Sequence, residues 1–358
     1  MQKRTIQSIR KLLSEWYAVS SRRLPWRETR DPYRIWVSEV MLQQTQVKTV
    51  VSYFESFITQ FPYLETLAAA DLERVLKAWE GMGYYARARN LQRAAKEVCE
   101  LYGGRIPDDP VVFKSLPGVG DYICAAVQSI AFGAPMAVTD GNVKRVLSRM
   151  FQIGEPVNRP SASKVFAAAA DRLLDRSDPG EFNQAVMELG ALVCRPHSPL
   201  CVDCPIARYC AARLSARVAD FPVRDRRRPV PTRRVAVGVV EKDGRILLTQ
   251  RKPEGLLGGL WEFPGGKIED GEKPKAACAR EILEETGLSV EVAERIASVK
   301  HAYTHFKVEI DVYRCRFRGG AVVLDGPVDF CWVALDDVRR YPLPKASHKI
   351  LPHLQKKR

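Results

Sequence analysis

The 358-residue chain carries 56 Lys and Arg against 42 Asp and Glu, a formal charge of +14 and a pI near 9.4. That balance asks for a polyanionic partner, nucleic acid first, and at about 150 residues per domain the length asks for two or three domains. No apolar run is long enough for a membrane span, the opening MQKRTIQSIRKLLSEWY lacks the continuous apolar stretch of a signal peptide, and nine cysteines, four of them crowded between 194 and 210, argue against a secreted disulfide framework and for ligation in a reducing cytosol.

From residue 1 to about 213, apolar residues recur at helical spacing, and the breaks are short and rich in Gly or Pro, as in EGMGYYAR, YGGRIPDDP and SLPGVGDY. An all-α domain is predicted there. Within IWVSEVMLQQTQV the residues Trp36, Val37, Val40, Met41 and Val47 define a buried stripe. Glu39 falls roughly 120° from its centre, beside Gln43 and Gln46, so periodicity makes it a helix-surface glutamate. LPGVGDY, residues 116–122, lies between two helical segments. Gly118 and Gly120 permit positive φ and close approach, so the N–H groups of Gly118, Val119 and Gly120 and the following helix N-terminus can bind a phosphate. Asp140 precedes the apolar series Val143, Val146, Leu147 and Met150 and reads as an N-cap.

Cys194, Cys201, Cys204 and Cys210 form C-x6-C-x2-C-x5-C. Four thiolates suit either an iron-sulfur cluster or tetrahedral zinc, and spacing alone does not decide between them. Arg195, His197, Arg208 and Tyr209 interleave them, as in a metal-braced loop that presents charge to DNA. Residues 214–232 read as a basic, Pro/Arg-rich linker, extended and solvated.

Beyond the linker, residues 233–358 read as an α+β domain. RVAVGVVEKDGRILLTQR is a hairpin around Lys-Asp-Gly, VKHAYTHFKVEIDVYRCRF continues as strand, and residues 274–286 form one amphipathic helix. GKIEDGEKPKAACAREILEETGL, residues 266–288, fits G-x5-E-x7-R-E-U-x-E-E-x-G-U, where U is a bulky aliphatic residue. The carboxylates of Glu281, Glu284 and Glu285 fall on one helix face. Unpaired, they repel one another. A hard cation such as Mg²⁺ or Mn²⁺, held with Gly266, would relieve that repulsion; a solvated acidic face is the plainer alternative.

The motifs LPWRETRDPYRIWVSEVMLQQTQV (24–47), GMGYYARARNL (81–91), LPGVGDYICAAV (116–127) and DGNVKRV (140–146), followed by the cysteine loop, resemble in order and spacing the adenine glycosylase (MutY) family of the helix-hairpin-helix, endonuclease III superfamily. The segment 266–288 resembles the Nudix box of MutT-like hydrolases. The resemblance implies a base-excision repair glycosylase that removes adenine opposite 8-oxoguanine or guanine in duplex DNA, cytoplasmic (nucleoid-associated in a bacterium) and monomeric. It implies catalytic roles for Glu39 and Asp140, a base pocket lined by Tyr122, Asn142 and Arg27, and Gln44 and Tyr84 wedged into the duplex. It also implies a [4Fe-4S] cluster on the four cysteines and lesion reading by Tyr303, Thr304 and His305 of HAYTHF. Glu39, desolvated against a flipped base, would acquire a raised pKa and protonate N7, while ionised Asp140 faced the electron-poor sugar. Endonuclease III carries a nucleophilic lysine where this chain has Tyr122, so a monofunctional enzyme is expected rather than a pyrimidine glycosylase/lyase. Relatives of this family have usually lost the Nudix box, so its retention leaves a second activity on 8-oxo-dGTP open beside the sensor role. A nucleotide pyrophosphohydrolase with an accessory DNA-binding domain is the rival from another class.

Overall fold

Between Lys3 and Asp220 every regular element among the described residues is helical, and the strands begin at Thr232. The structure, a computed structural model, describes residues 2–226 and 229–354; Arg227 and Arg228 of the linker and the last four residues of the C-terminal domain lie outside the described residues. Contacts gather the chain into two units, Met1–Glu65 with Arg93–Arg227, and Thr66–Gln92 with Arg228–Arg358. No helix is long and apolar enough to cross a membrane.

In the first unit the helix Pro32–Leu42 starts on Asp31, whose carboxylate accepts from Tyr33 N at 2.9 Å, with Pro32 at the first turn. Beyond its first turn, where Arg34 is exposed, it is enclosed on all sides: Tyr33, Ile35, Trp36, Val37, Ser38, Glu39, Val40 and Met41 are all buried. The helix-surface position expected for Glu39 is therefore wrong. Periodicity identifies a solvent face only where a helix has one, and beyond its first turn this helix has none. Val47 does not belong to its stripe either. The helix ends at Leu42, Gln44 takes a φ of 57°, and Val47 opens the next helix, Val47–Gln60. Against Pro32–Leu42 packs the helix Asp121–Phe132, buried from Ile123 to Ser129, and against that helix in turn packs Pro179–Leu192, whose Gly180 meets the Ser129 backbone so closely that a Cβ would lie 2.7 Å from its carbonyl oxygen. Elsewhere in the unit Ile9, Leu13, Leu147, Phe166 and Leu189 share one apolar core.

The second unit is built on a seven-stranded mixed sheet: β1 (Thr232–Lys242), β2 (Arg245–Gln250), β3 (Trp261–Glu262), β4 (Gly265–Lys267), β5 (Ser289–Ala302), β6 (Lys307–Gly319) and β7 (Asp329–Val333), in the order β3-β2-β1-β6-β5, with β4 on β1 and β7 on β2. Only β1 and β6 pair in parallel. The Lys-Asp-Gly hairpin forms as predicted: Asp243 and Gly244 both take positive φ, 49° and 74°, the geometry of a type I′ turn. Both faces of β1 are buried. Ala236 and Val240 meet the helix Pro274–Thr286 on one side, and Val237 and Val239 meet Val338, Leu343 and Ile350 on the other, so the strand reads as a continuous apolar run. Residues 66–92 join this unit through polar contacts: Trp261 Nε1 donates to Glu73 Oε2 at 2.8 Å, Leu343 N donates to Glu80 Oε1 at 2.8 Å, and Arg89 donates to the carbonyls of Gly255 and Gly258.

Candidate active site

Glu39 is 4% exposed in the middle of its helix, and the Tyr122 hydroxyl donates to Glu39 Oε2. Burial pushes the carboxyl up; the Tyr122 hydrogen bond and Arg27 pull it down, and the charge of Asp140 pushes it up again, leaving a pKa of about 7. Asp140 is the N-cap of the helix Gly141–Phe151, as its sequence position suggests. Its carboxylate accepts from Val143 N at 2.7 Å and from Asn142 Nδ2 at 2.9 Å. Burial raises Asp140 too, but against more opposition: two N–H groups, the Asn142 amide, the Arg145 charge and a helix N-terminus all favour its anion. Two carboxyl groups within each other's field are thus both raised by burial but unequally supported, Glu39 by one hydroxyl and Asp140 by several hydrogen-bond donors at a helix N-terminus.

Arg27 walls a pocket of about 400 Å³ shared with Tyr17, Trp26, Ile130 and Gln184. Sequence reasoning missed what holds that wall. Glu188 is 1% exposed and accepts from Arg22 Nε at 2.7 Å, Arg22 Nη2 at 2.6 Å and Arg27 Nη2 at 2.9 Å. Burial would raise its carboxyl, but the hydrogen bonds from Arg22 and Arg27, with the charge of Arg27, hold it at about 2. No local signal in MELGAL marks this glutamate, because its partners lie about 160 residues away in sequence.

The segment 116–122 is a turn between helices. Gly118 takes a φ of 77°, and Gly120 caps Asp121–Phe132 with open space where a side chain would stand. Gln44 and Tyr84, exposed, share an unusual feature for non-glycine residues, a left-handed backbone, with φ of 57° and 50°. Cys194, Cys201, Cys204 and Cys210 line one pocket. Burial pushes the Cys204 thiol up to about 11, and the charges of the other three add to the rise, a repulsion that a bound cation relieves. Among the described residues no three His, Cys, Asp or Glu side chains stand close enough together to hold a single ion.

Against known proteins, the chain is 35% identical over 401 aligned residues to the human protein named adenine DNA glycosylase, a match covering 96% of this chain and 73% of that one. The chain belongs to the adenine DNA glycosylase family. The mouse adenine DNA glycosylase is 38% identical over 86% of this chain and 70% of its own, and that of Buchnera aphidicola from Acyrthosiphon pisum is 28% identical over 96% and 97%. Residues 37–172 match the HhH-GPD superfamily of base excision DNA repair proteins, and residues 235–353 match the NUDIX domain. Among solved structures, a thermostable thymine-DNA glycosylase is 30% identical with a TM-score of 0.55, over 59% of this chain and 98% of that one. A trapped endonuclease III–DNA covalent intermediate, 22% identical over 60% and 99%, shares the fold with a TM-score of 0.52.

The C-terminal part of this adenine DNA glycosylase family member places Tyr303, Thr304 and His305 at the tip between β5 and β6, where Tyr303 N donates to Phe306 O at 2.9 Å and the two rings stack 4.8 Å apart. Thr304 and His305 are exposed, and the hydroxyls of Thr304 and Tyr84 are hydrogen-bonded. The Nudix box holds its carboxylates close together: burial and the charges of Glu262 and Glu281 push Glu285 up to about 7, against the Gly265 N–H and Arg251. Arg280 donates to Glu272 at 2.9 Å and to Glu281 and Glu284 at 3.0 Å, while Glu285 accepts from Gly265 N at 3.1 Å. One guanidinium offsets only part of this charge, since Arg280 bonds Glu272, Glu281 and Glu284 but not Glu285. Gly266 serves packing, since a Cβ there would strike the Glu281 carboxylate.

Proposed function

We propose that this protein excises adenine mispaired with 8-oxoguanine or guanine in duplex DNA, as a monofunctional glycosylase. The observation that carries the reading is the unequal pair, Glu39 buried with a pKa of about 7 and Asp140, raised by burial but hydrogen-bonded by Val143 N and the Asn142 amide at a helix N-terminus. An adenine turned out of the duplex is assigned to the surroundings of Glu39, Tyr122 and Asp140; of the residues expected to line the base pocket only Arg27 also walls the cavity of about 400 Å³, and Tyr122 and Asn142 do not. Glu39 gives its proton to N7, which makes the base a neutral leaving group, and Tyr122 holds the glutamate in place. Asp140 faces C1′ as positive charge grows there, and Asn142 keeps its carboxylate oriented. A water then completes hydrolysis. Tyr122 offers no amine, so no imine forms and the strand is left intact.

Gln44 and Tyr84 are assigned to the gap left by the departing base, their left-handed backbones held for that purpose. The turn 118–120 is assigned to backbone phosphate. Thr304, bonded to Tyr84, supplies the hydroxyl for the 8-oxoguanine edge. The four cysteines line one pocket, four thiolates suit either a cluster or zinc, and the family resemblance favours a [4Fe-4S] cluster. When bound, the cluster would brace the loop 194–210, which offers Arg195 and Arg208 to DNA.

Single-turnover excision on duplexes bearing A opposite 8-oxoguanine, A opposite guanine, and an oxidised pyrimidine tests the reading. Expected are excision of adenine alone, its loss in Glu39→Gln and Asp140→Asn, and retained mispair binding by both. Unchanged excision by either variant would end the assignment.

A further inference from the structure

One buried cation has no role in the chemistry above. Arg149, on the helix Gly141–Phe151, is 3% exposed and forms no ion pair with a carboxylate among the described residues. Its acceptors are three carbonyls and a sulfur: Nε donates to Phe221 O at 3.0 Å, Nη1 to Arg195 O at 2.7 Å and to Cys194 Sγ at 3.3 Å, and Nη2 to Pro196 O at 3.2 Å. A guanidinium buried without an anion is costly, and a neutral thiol does not offset it. Arg149 lines the cysteine pocket, and the other charged residue lining it, Arg213, is exposed. The missing negative charge is therefore that of the four-thiolate group itself.

We propose that Arg149 is the charge partner of the cluster, raising its reduction potential through the hydrogen bond to Cys194 Sγ and slowing its oxidative loss. The inference rests on the cluster reading above. A fixed positive charge and an N–H···S bond both favour the more negative, reduced form. The carbonyls of Phe221, Arg195 and Pro196 keep the guanidinium from turning away. Reduction adds one electron from an electrode to the bound cluster, and no bond to the protein forms or breaks.

The full-length protein, purified anaerobically, is assayed for iron and acid-labile sulfide, then for midpoint potential by voltammetry, as wild type, Arg149→Lys and Arg149→Gln. Expected is a fall in potential, larger for the neutral glutamine, amounting to at least a tenfold change in the reduction equilibrium, about 59 mV for one electron. Faster bleaching in air should accompany it. Iron lost from a variant whose helical circular dichroism is unchanged also supports the role. Equal potentials and equal bleaching rates in the three loaded proteins overturn it. A wild type that carries zinc and no iron overturns the cluster reading instead, and with it the premise. If neither variant folds, the wild type decides: with ¹⁵N-arginine, the reduced cluster should show a hyperfine-coupled arginine nitrogen, and the absence of that coupling sinks the proposal.

Discussion

A glutamate in a helix with no solvent face has no cheap ionised state, and Glu39 shows what that does at the residue scale. In the unfolded chain it titrates near 4.5, in the folded protein near 7. The general acid is present below about pH 7, so single-turnover adenine excision should fall as pH rises through that value. A rate that stayed flat to pH 9 would remove Glu39 as the proton donor. The same shift acts on stability with a definite sign. Between pH 4.5 and 7 the unfolded state releases the proton that the folded state keeps, so stability declines with rising pH, by something on the order of 3 kcal/mol. Glu39→Gln removes that penalty, and its gain in melting temperature over wild type should be larger at pH 8 than at pH 4.5. The residue's importance was readable from its motif. Its burial was not, because the apolar stripe of Trp36, Val37, Val40 and Met41 says where one neighbour lies and is silent about the others.

At the scale of elements, the helix Pro179–Leu192 supports the site from behind through two residues. Gly190 lies against Asn142, where an added methyl would stand 2.7 Å from Asn142 Cβ and 3.0 Å from its carbonyl oxygen. Gly190→Ala should displace the donor that orients Asp140 and slow excision about tenfold or more, with unfolding little changed by circular dichroism. A full-rate Gly190→Ala would show that Asn142 has room to move. Two residues earlier, Glu188 ties the helix to Arg22 and Arg27. Glu188→Gln leaves two guanidinium groups without their anion and should cost about 3–5 kcal/mol in urea unfolding at pH 7. With a folded pKa of about 2, the Glu188 contribution is complete above the unfolded value near 4.5 and is lost as pH falls through 2, so the variant and wild type should converge in acid. The helices themselves were legible from spacing, capping and Gly/Pro breaks. Their contacts were not, since both Gly190 and Glu188 act on residues tens to hundreds of positions away.

For the molecule as a whole, a basic chain joins a helical half that matches the HhH-GPD superfamily to a half that matches the NUDIX domain. If Thr304 meets the lesion, Thr304→Val should reduce the preference for A opposite 8-oxoguanine over A opposite guanine by about tenfold, the scale of one lost hydrogen bond, and leave excision at A opposite guanine unchanged. Arg280 offsets only part of the charge of the box, so the second activity is decided by assay: Mg²⁺-dependent release of pyrophosphate from 8-oxo-dGTP by wild type but not by Glu284→Gln would establish it, and no release by either would remove it.

The sequence by itself determined the two fold classes, the helix 274–286, the β1–β2 hairpin and the motif residues, because helical period, turn chemistry and fixed spacing are local properties of a chain. Only the tertiary structure decided which carboxyl is buried enough to hold a proton at neutral pH, that Arg280 ties Glu272, Glu281 and Glu284 together, that residues 66–92 pack with the C-terminal sheet, and that Arg149 lies buried beside a cysteine sulfur. Desolvation and charge pairing depend on what surrounds a side chain in space, and distant segments supply those surroundings.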